Sequence, residues 1–263
     1  MTDTMPQLNP TRPKAFLIDM DGTLYFKGKP CPGAIETVNY LRQEKYQLRF
    51  LTNTTAKTPK MLHAQMRELG FDIYEDEIFN ATYACLLHLR SQPEAKCHFM
   101  VDDAVKAFFK EIPIDDDAPD FVVVGDYGEG FDFHALNHAF RLLMNGAELI
   151  ALQKGLYWFS PEGIRLDCGA FVTLLEAAAD KTATIMGKPS ETFFKTVLDN
   201  LQLVPKDVIV VGDDITTDIV GAERMKMRSI LVKTGKFKPD QLENPVAKPT
   251  WALESVSELL QLF

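Results

Sequence analysis

The feature that most constrains this chain is a repeated event: a short apolar run that ends on charge. Ala15 to Ile18 runs straight into Asp19, Met20, Asp21 and Gly22. "QLRFL" runs into Thr52 and Asn53, and "TATIMG" into Lys188 and Pro189. "DVIVVG" runs into Asp213, Asp214 and, a helical turn later, Asp218. Runs this short and this apolar read as strands buried on both faces, the habit of parallel sheets. Helix-patterned segments separate them, which makes the fold class α/β with a doubly wound parallel sheet. "GAIETVNYLRQEK" sets Ile35, Val38 and Leu41 or Tyr40 on one face. The next helix is punctuated by Thr58 as a cap, Pro59 at the first helical position and Gly70 behind Leu69.

The middle of the chain begins the alternation afresh. "KCHFMVD", "DFVVVGD" and "AELIALQ" read as strands, and "FDFHALNHAFRLLMNG" as a helix closed by Gly146. "LYWFSPEGIRLD" has the pattern of a hairpin, and "GAFVTLLEAAADK" is again helical. After it come a helix opening near Ser190, the strand "DVIVVGDD", a helix over "ITTDIVGAERMKM" and the strand "RSILVKTG". "TWALESVSELLQLF" supplies a last short strand and helix. The expected organisation is a core of residues 1–79 and 184–263 with an α/β unit of residues 80–183 inserted.

Ligands of an open parallel sheet bind at the carboxyl ends of its strands. If the four strands are neighbours, four carboxylates, a lysine and a hydroxyl converge on one edge. Each cluster alone has a plainer reading: D-x-D as a turn, "LTN" as ordinary strand-end residues, "GKP" as a solvated turn, and Asp213 or Asp214 as a helix cap. All four together, in order, are hard to ascribe to turns. Phosphoryl transfer is the chemistry that wants them. A phosphate approaches a carboxylate nucleophile only if a cation screens the repulsion, and Mg²⁺ is the hard, oxygen-seeking choice. A lysine adds a second positive charge, while a threonine hydroxyl and backbone N–H groups bind phosphoryl oxygens. The attacking carboxylate forms an acyl phosphate, and a carboxyl two residues on moves the protons.

"DMDGTL", "LTNTT", "GKP" and "GDDITTD" resemble the four motifs of the haloacid dehalogenase (HAD) superfamily, in its Mg²⁺-dependent phosphatase branch. The chain looks like the subclass that includes NagD-type proteins and 4-nitrophenylphosphatases, with a cap inserted between the second and third motifs. "FLTNTT", "EDEIF", "GAFVTLLEAA", "TATIMGKPSETFF" and "ILVKTGK" are similar to the haloacid dehalogenase-like hydrolase domain-containing protein 2 and phospholysine phosphohistidine inorganic pyrophosphate phosphatase group. The resemblance implies a Rossmannoid core with a hairpin flap after the first strand. It implies Asp19 as nucleophile and metal ligand, and Asp21 as general acid/base with its backbone carbonyl on the metal. Thr52 and Asn53 would bind phosphate, Lys188 would stabilise the phosphoryl group, and Asp213 would be the second carboxylate ligand. Asp214 and Asp218 would stand behind these, orienting waters or Lys188. Spacing agrees with an inserted lid: about thirty residues separate Asp21 from Thr52, while more than a hundred separate Asn53 from Lys188.

The expected function is hydrolysis of a small phosphorylated metabolite through an aspartyl-phosphate. Alternatives are hydrolysis of N–P bonds or inorganic pyrophosphate, or a phospho-accepting regulatory protein, which would not want a general base at Asp21. Net charge of −9 argues against nucleic acid and anionic membrane as partners. No apolar run approaches the ~20 residues of a bilayer span. The polar start, "MTDTMPQLNPTRPK", reads as a mobile lead-in without a signal peptide's apolar middle. The scattered Cys31, Cys85, Cys97 and Cys168 read as free thiols, so a cytoplasmic location is expected. A homodimer through the cap is allowed. His134 and His138 share zinc spacing but lack a third ligand, and are expected to form an ordinary helix face. Asp115 to Asp117 are expected in a solvated loop, and Tyr157, Trp158 and Phe159 in hairpin packing. Substrate selection is expected in the loop from Gln153 to Cys168, where "LQKG" replaces the "TN-x-D" of some relatives.

Overall fold

The computed structural model describes residues 12–160, 163–243 and 246–262. Most of the expected N-terminal lead-in, and Pro161 and Glu162 of the expected hairpin, lie outside them. The chain divides into two compact units, one of residues up to 52, 59–79 and 193 onward, the other of 53–58 and 80–192.

The first unit is built on β1 (Ala15–Asp19), every residue of which is buried. A two-stranded antiparallel hairpin, β2 (Tyr25–Phe26) and β3 (Lys29–Pro30), follows it at once, where the flap is expected. Helix α1 (Ala34–Gln43) buries Val38 and Leu41 and half-buries Ile35 and Tyr40, the predicted face. It leads to β4 (Gln47–Thr52), which pairs with β1 so that Asp19 stands opposite Leu51. Helix α2 opens at Pro59 and runs to Glu68, and Gly70, at φ 90°, turns the chain out of it. Next comes β5 (Ile78–Asn80), beside β4 at the sheet edge. The chain re-enters this unit through α7 (Glu191–Leu201) and supplies β12 (Val208–Gly212), α8 (Val220–Arg224), β13 (Arg228–Val232), α9 (Asp240–Glu243) and β14 (Trp251–Leu253). The sheet order is β14-β13-β12-β1-β4-β5, and every pair from β14 to β4 is parallel. Two fully buried strands, β1 and β12, are therefore adjacent at its centre, and their carboxyl ends carry Asp19 and Asp213.

The second unit has its own parallel sheet. Asn80 caps α3 (Ala81–Arg90), its side chain accepting from the Tyr83 amide at 2.9 Å. After α3 come β6 (Cys97–Met100), α4 (Asp103–Lys106), β7 (Phe121–Val124), α5 (Phe133–Met144) and β8 (Glu148–Ala151). The predicted hairpin is β9 (Tyr157–Ser160) with β10 (Gly163–Leu166), and α6 (Cys168–Ala179) and β11 (Thr184–Ile185) complete the unit. The sheet order is β11-β8-β7-β6, all parallel.

Three elements differ from expectation. "TATIMG" is not a strand of the larger sheet: Thr184 and Ile185 pair with Ile150 and Ala151, so residues 184–192 group with the inserted unit rather than with the core. "ITTDIVGAERMKM" is not one α-helix, because Ile215–Ile219 forms a wider π turn before α8. The C-terminal helix is a 3₁₀ segment over Val256–Gln261. No described helix is long and apolar enough to cross a membrane.

Candidate active site

Asp19 is the last residue of β1, on the face of the pleat it shares with Ala15 and Leu17 and opposite Phe16 and Ile18, and is buried, 6 % exposed. Its neighbour β12 ends at Gly212, so Asp213 leaves the same sheet edge and is 1 % exposed. The π turn that follows brings Asp218 back beneath them, fully buried. One carboxylate oxygen from each of Asp19, Asp213 and Asp218 lies within 4.8 Å of the others. Like charges at that distance repel by about 3 kcal/mol or more per pair at an effective dielectric near 20. Burial removes the water that would otherwise screen them. A cluster of this kind could hold a cation, and its all-oxygen donor set suits a hard divalent ion. π turns of this sort often mark functional positions.

The two residues expected to stand behind the ligands separate. Asp214 stays out of the cluster: its Oδ1 accepts from the Thr216 amide at 2.9 Å and from the Thr216 hydroxyl at 2.6 Å, capping the π turn. Asp218 joins the carboxylates. Asp21 is exposed, with Gly22 turning the chain behind it through an amide bond to the Tyr25 carbonyl at 2.7 Å. Thr52 is buried at the end of β4.

Asn53 and Lys188 meet in the second unit. The Asn53 side-chain amide donates to the Lys188 carbonyl at 2.9 Å, and the Lys188 amide returns a bond to Asn53 Oδ1 at 2.8 Å. This reciprocal pair ties together positions far apart in sequence, and the Lys188 side chain is 4 % exposed. Lys188 thus follows an edge strand of the smaller sheet and not a neighbour of β1, which corrects the expectation that all four strands share one sheet.

Side signals sort differently. His134 is exposed and His138 half-buried, as for an ordinary helix face, and among the described residues neither joins a metal-type cluster. The Asp115 run is more organised than a solvated loop. Asp115 accepts from the Asp117 and Ala118 amides and from Lys96 Nζ, and these bonds draw its carboxyl down to about 2. Tyr157 is 58 % exposed, and the side chains of Trp158 and Phe159, of which packing was also expected, lie outside the described residues.

Sequence reasoning missed three residues of the first unit. Tyr25, in the flap, is buried, and burial together with the Asp21 and Asp19 charges raises its hydroxyl well above the usual phenol range, keeping it protonated. Thr234 donates its hydroxyl to the Gly22 carbonyl at 2.5 Å, and the Lys236 amide donates to Asp213 Oδ2 at 2.6 Å. Both lie just past the carboxyl end of β13. The strand-end rule that found the other clusters, applied to one more strand, would have found them.

Comparison with known proteins agrees with this geometry. Residues 16–115 match the model of the haloacid dehalogenase-like hydrolases, and residues 185–259 match a HAD-hydrolase-like model. The haloacid dehalogenase-like hydrolase domain-containing protein 2 of Bos taurus is 42% identical over 225 residues, 86% of each chain. The phospholysine phosphohistidine inorganic pyrophosphate phosphatase of Bos taurus is 35% identical, covering 95% of this chain and 93% of its own. The 4-nitrophenylphosphatase of Thermotoga maritima superposes with a TM-score of 0.88 at 26% identity, covering 94% of this chain and 96% of that one. With the ordered motifs, the parallel sheet and relatives this similar over most of its length, the chain belongs to the haloacid dehalogenase-like hydrolase family.

Proposed function

We propose that this hydrolase is a Mg²⁺-dependent phosphatase that cleaves a small phosphorylated metabolite through an aspartyl-phosphate. The observation that carries the reading is the convergence of Asp19, Asp213 and Asp218 at the carboxyl ends of β1 and β12. Asp19 and Asp213, with the Asp21 backbone carbonyl, would hold the Mg²⁺, and Asp218 extends that donor set. When bound, the ion screens the carboxylates from the substrate's negative charge and polarises a phosphoryl oxygen.

The chain's own residues then divide the work. An Asp19 oxygen attacks phosphorus, the bond from phosphorus to the leaving oxygen breaks, and the Asp21 carboxyl gives its proton to that oxygen. Asp21, now a carboxylate, takes a proton from water. The water oxygen attacks phosphorus, inorganic phosphate leaves and Asp19 is restored. The exposure of Asp21 suits a group that must meet solvent water, as the burial of Asp19 suits one that must lose its hydration before attacking. Thr52 and Asn53 bind phosphoryl oxygens. Lys188 supplies positive charge to the phosphoryl group, its backbone fixed by the Asn53 pair.

A second reading, hydrolysis of an N–P bond or of pyrophosphate, is favoured by the name of the relative that is 35% identical, a phospholysine phosphohistidine inorganic pyrophosphate phosphatase. The same aspartates would serve it, with a nitrogen or phosphate leaving group protonated by Asp21. A cytoplasmic location fits the four buried free thiols. The net charge of −9 fits a small substrate rather than nucleic acid or a membrane surface. A homodimer through the second unit would cover Ile164 and Leu166, both exposed on β10.

The test is a panel of phosphate esters, phospholysine, phosphohistidine and pyrophosphate, assayed with Mg²⁺ for wild type and Asp19→Asn. Turnover by the wild type, reversible loss on chelation and none in the variant is the expected result. Undiminished activity in Asp19→Asn would overturn the mechanism.

A further inference from the structure

The loop after β13 touches two separate parts of the carboxylate site. Its Thr234 hydroxyl grips the Gly22 carbonyl at 2.5 Å, one residue beyond Asp21. Two residues on, the Lys236 amide grips Asp213 Oδ2 at 2.6 Å. Between them Gly235 has φ +54° and approaches so closely that a Cβ there would fall on the Asp213 carboxylate and on the Gly22 backbone. Only a residue without a side chain lets one short loop reach both. The Lys236 ammonium, itself largely exposed, adds a longer contact to Asp214 at 3.4 Å.

We infer that Thr234, Gly235 and Lys236 form a clamp that positions the cation site. The proposal deepens the phosphatase reading and rests on it for the identity of the ion. An amide bound to one oxygen fixes the rotation of the Asp213 carboxylate, and so the direction in which it faces Asp19 and Asp218. The hydroxyl bond to the Gly22 carbonyl fixes the turn that carries Asp21, whose backbone carbonyl is the remaining ligand the reading calls for. The turn after β1 and the loop after β12 are distant in sequence and joined by no short connection. A third loop that holds both sets their mutual spacing, the quantity on which a small ion's affinity depends. Groups that orient ligands from behind are typically worth 10- to 100-fold in metal affinity. Thr234, Gly235 and Lys236 are thus positioning residues: they act through Asp213 and through the turn that carries Asp21.

The experiment is calorimetric titration of metal-stripped full-length protein with Mg²⁺, repeated with Mn²⁺ followed by its electron paramagnetic resonance. Wild type is compared with Thr234→Val, Thr234→Ser and Gly235→Ala. Thr234→Val is nearly isosteric and keeps the fold testable if Gly235→Ala does not accumulate. The expected result is Mg²⁺ binding about tenfold weaker in Thr234→Val, at least as weak in Gly235→Ala, and restored in Thr234→Ser, which returns the hydroxyl. In p-nitrophenyl phosphate turnover the Thr234→Val defect should shrink as Mg²⁺ is raised, with KM for the ester near wild type at saturation. Wild-type Mg²⁺ affinity in both Thr234→Val and Gly235→Ala overturns the clamp and leaves the phosphatase reading standing. A wild type that binds Mg²⁺ but hydrolyses nothing, with Thr234→Val still weakened, removes that reading and keeps the clamp.

Discussion

Two strands of this molecule are nearly the same in sequence, end on the same two residues and put the last one to different use. "DFVVVGD" supplies β7 of the second unit, and "DVIVVGD" supplies β12 of the first. Both are fully buried, both run parallel to their neighbours, and both finish in glycine and aspartate. After β7, Asp126 is half-buried and spends its side chain on local structure, Oδ1 accepting from the Gly128 amide at 3.2 Å. After β12, Asp213 is buried beside Asp19 and Asp218. A strand that ends on aspartate is therefore not itself a sign of chemistry, since one such residue closes a turn as readily as it holds an ion. What separates the two is where the carboxylates go: β6, beside β7, also runs into an aspartate, but Asp102 caps α4 through the Ala104 amide at 2.8 Å, whereas β12 and its neighbour β1 bury theirs together and a π turn returns a third.

The sharpest test of that contrast is to neutralise one carboxylate at each kind of strand end. Asp19→Asn should reduce turnover on the order of 10⁴-fold or more, because the nucleophile is gone. Asp126→Asn should leave phosphoenzyme formation and Mg²⁺ binding in place. Rapid-quench trapping of radiolabelled phosphate on the protein measures both. Loss of the phosphoenzyme in Asp126→Asn would erase the distinction.

Stability tests the same contrast through repulsion. In metal-free protein, Asp218→Asn removes one of three crowded buried charges and should stabilise the fold by about 1–3 kcal/mol. Adding Mg²⁺ should raise the wild-type melting temperature and scarcely move the variant, because an ion that binds only the native state stabilises it by mass action. Thermal melts with and without Mg²⁺ decide it. A variant less stable than wild type without metal would mean that Asp218 is held by hydrogen bonds rather than opposed by its neighbours.

These residues also mark how far sequence carries. Asp19 and Asp213 were legible because a continuous apolar run ending on charge is a local pattern, whereas the adjacency of β1 and β12 is a pairing of distant segments that the sequence left conditional. Asp218 was half legible: its place after β12 was plain, but the motif resemblance grouped it with Asp214 behind the metal ligands. Only the extra residue of a π turn, which leaves no mark in composition, separates the two. Lys188 was found by motif and misplaced by topology. "TATIMG" looks like any other buried strand, and which sheet a two-residue strand joins depends on Ile150 and Ala151, far away in the chain. Helix α3 went unread because "ATYACLLHLR" is apolar on most sides and offers no clear stripe.

A smaller effect should come from the glycines that precede the two aspartates. A methyl at Gly212 would fall on the Asp218 carboxylate, whereas at Gly125 it would press on the movable end of Leu152. Gly212→Ala should therefore weaken Mg²⁺ binding about tenfold by displacing a ligand. Gly125→Ala should cost about 1 kcal/mol of stability as overpacking and leave Mg²⁺ affinity alone. Calorimetric titration beside urea denaturation separates the outcomes. Equal loss of Mg²⁺ affinity in both variants would show that the two strand ends are not independent.

The least effect is expected from pH, and it belongs to the second unit. There His98 is packed edge-on to His138 with ring centroids 5.0 Å apart, and its Nδ1 lies 2.6 Å from Asp116. Burial lowers its pKa below 6.5, with His138 and Lys106 pushing the same way, and Asp116 opposes them without prevailing. The unfolded chain then takes up the proton first, so this contribution to stability is complete above pH 6.5 and is lost as pH falls through the folded value. The loss should be less than about 1 kcal/mol, visible as a shallow fall in the urea midpoint between pH 7 and 5.5. His98→Gln should flatten it. Asp116→Asn should deepen it, because the one neighbour that favours the imidazolium is removed. A midpoint that rises on acidification would mean that the Asp116 pair outweighs burial, making the histidine a charged partner in the native state, in contrast to the crowded like charges of the first unit.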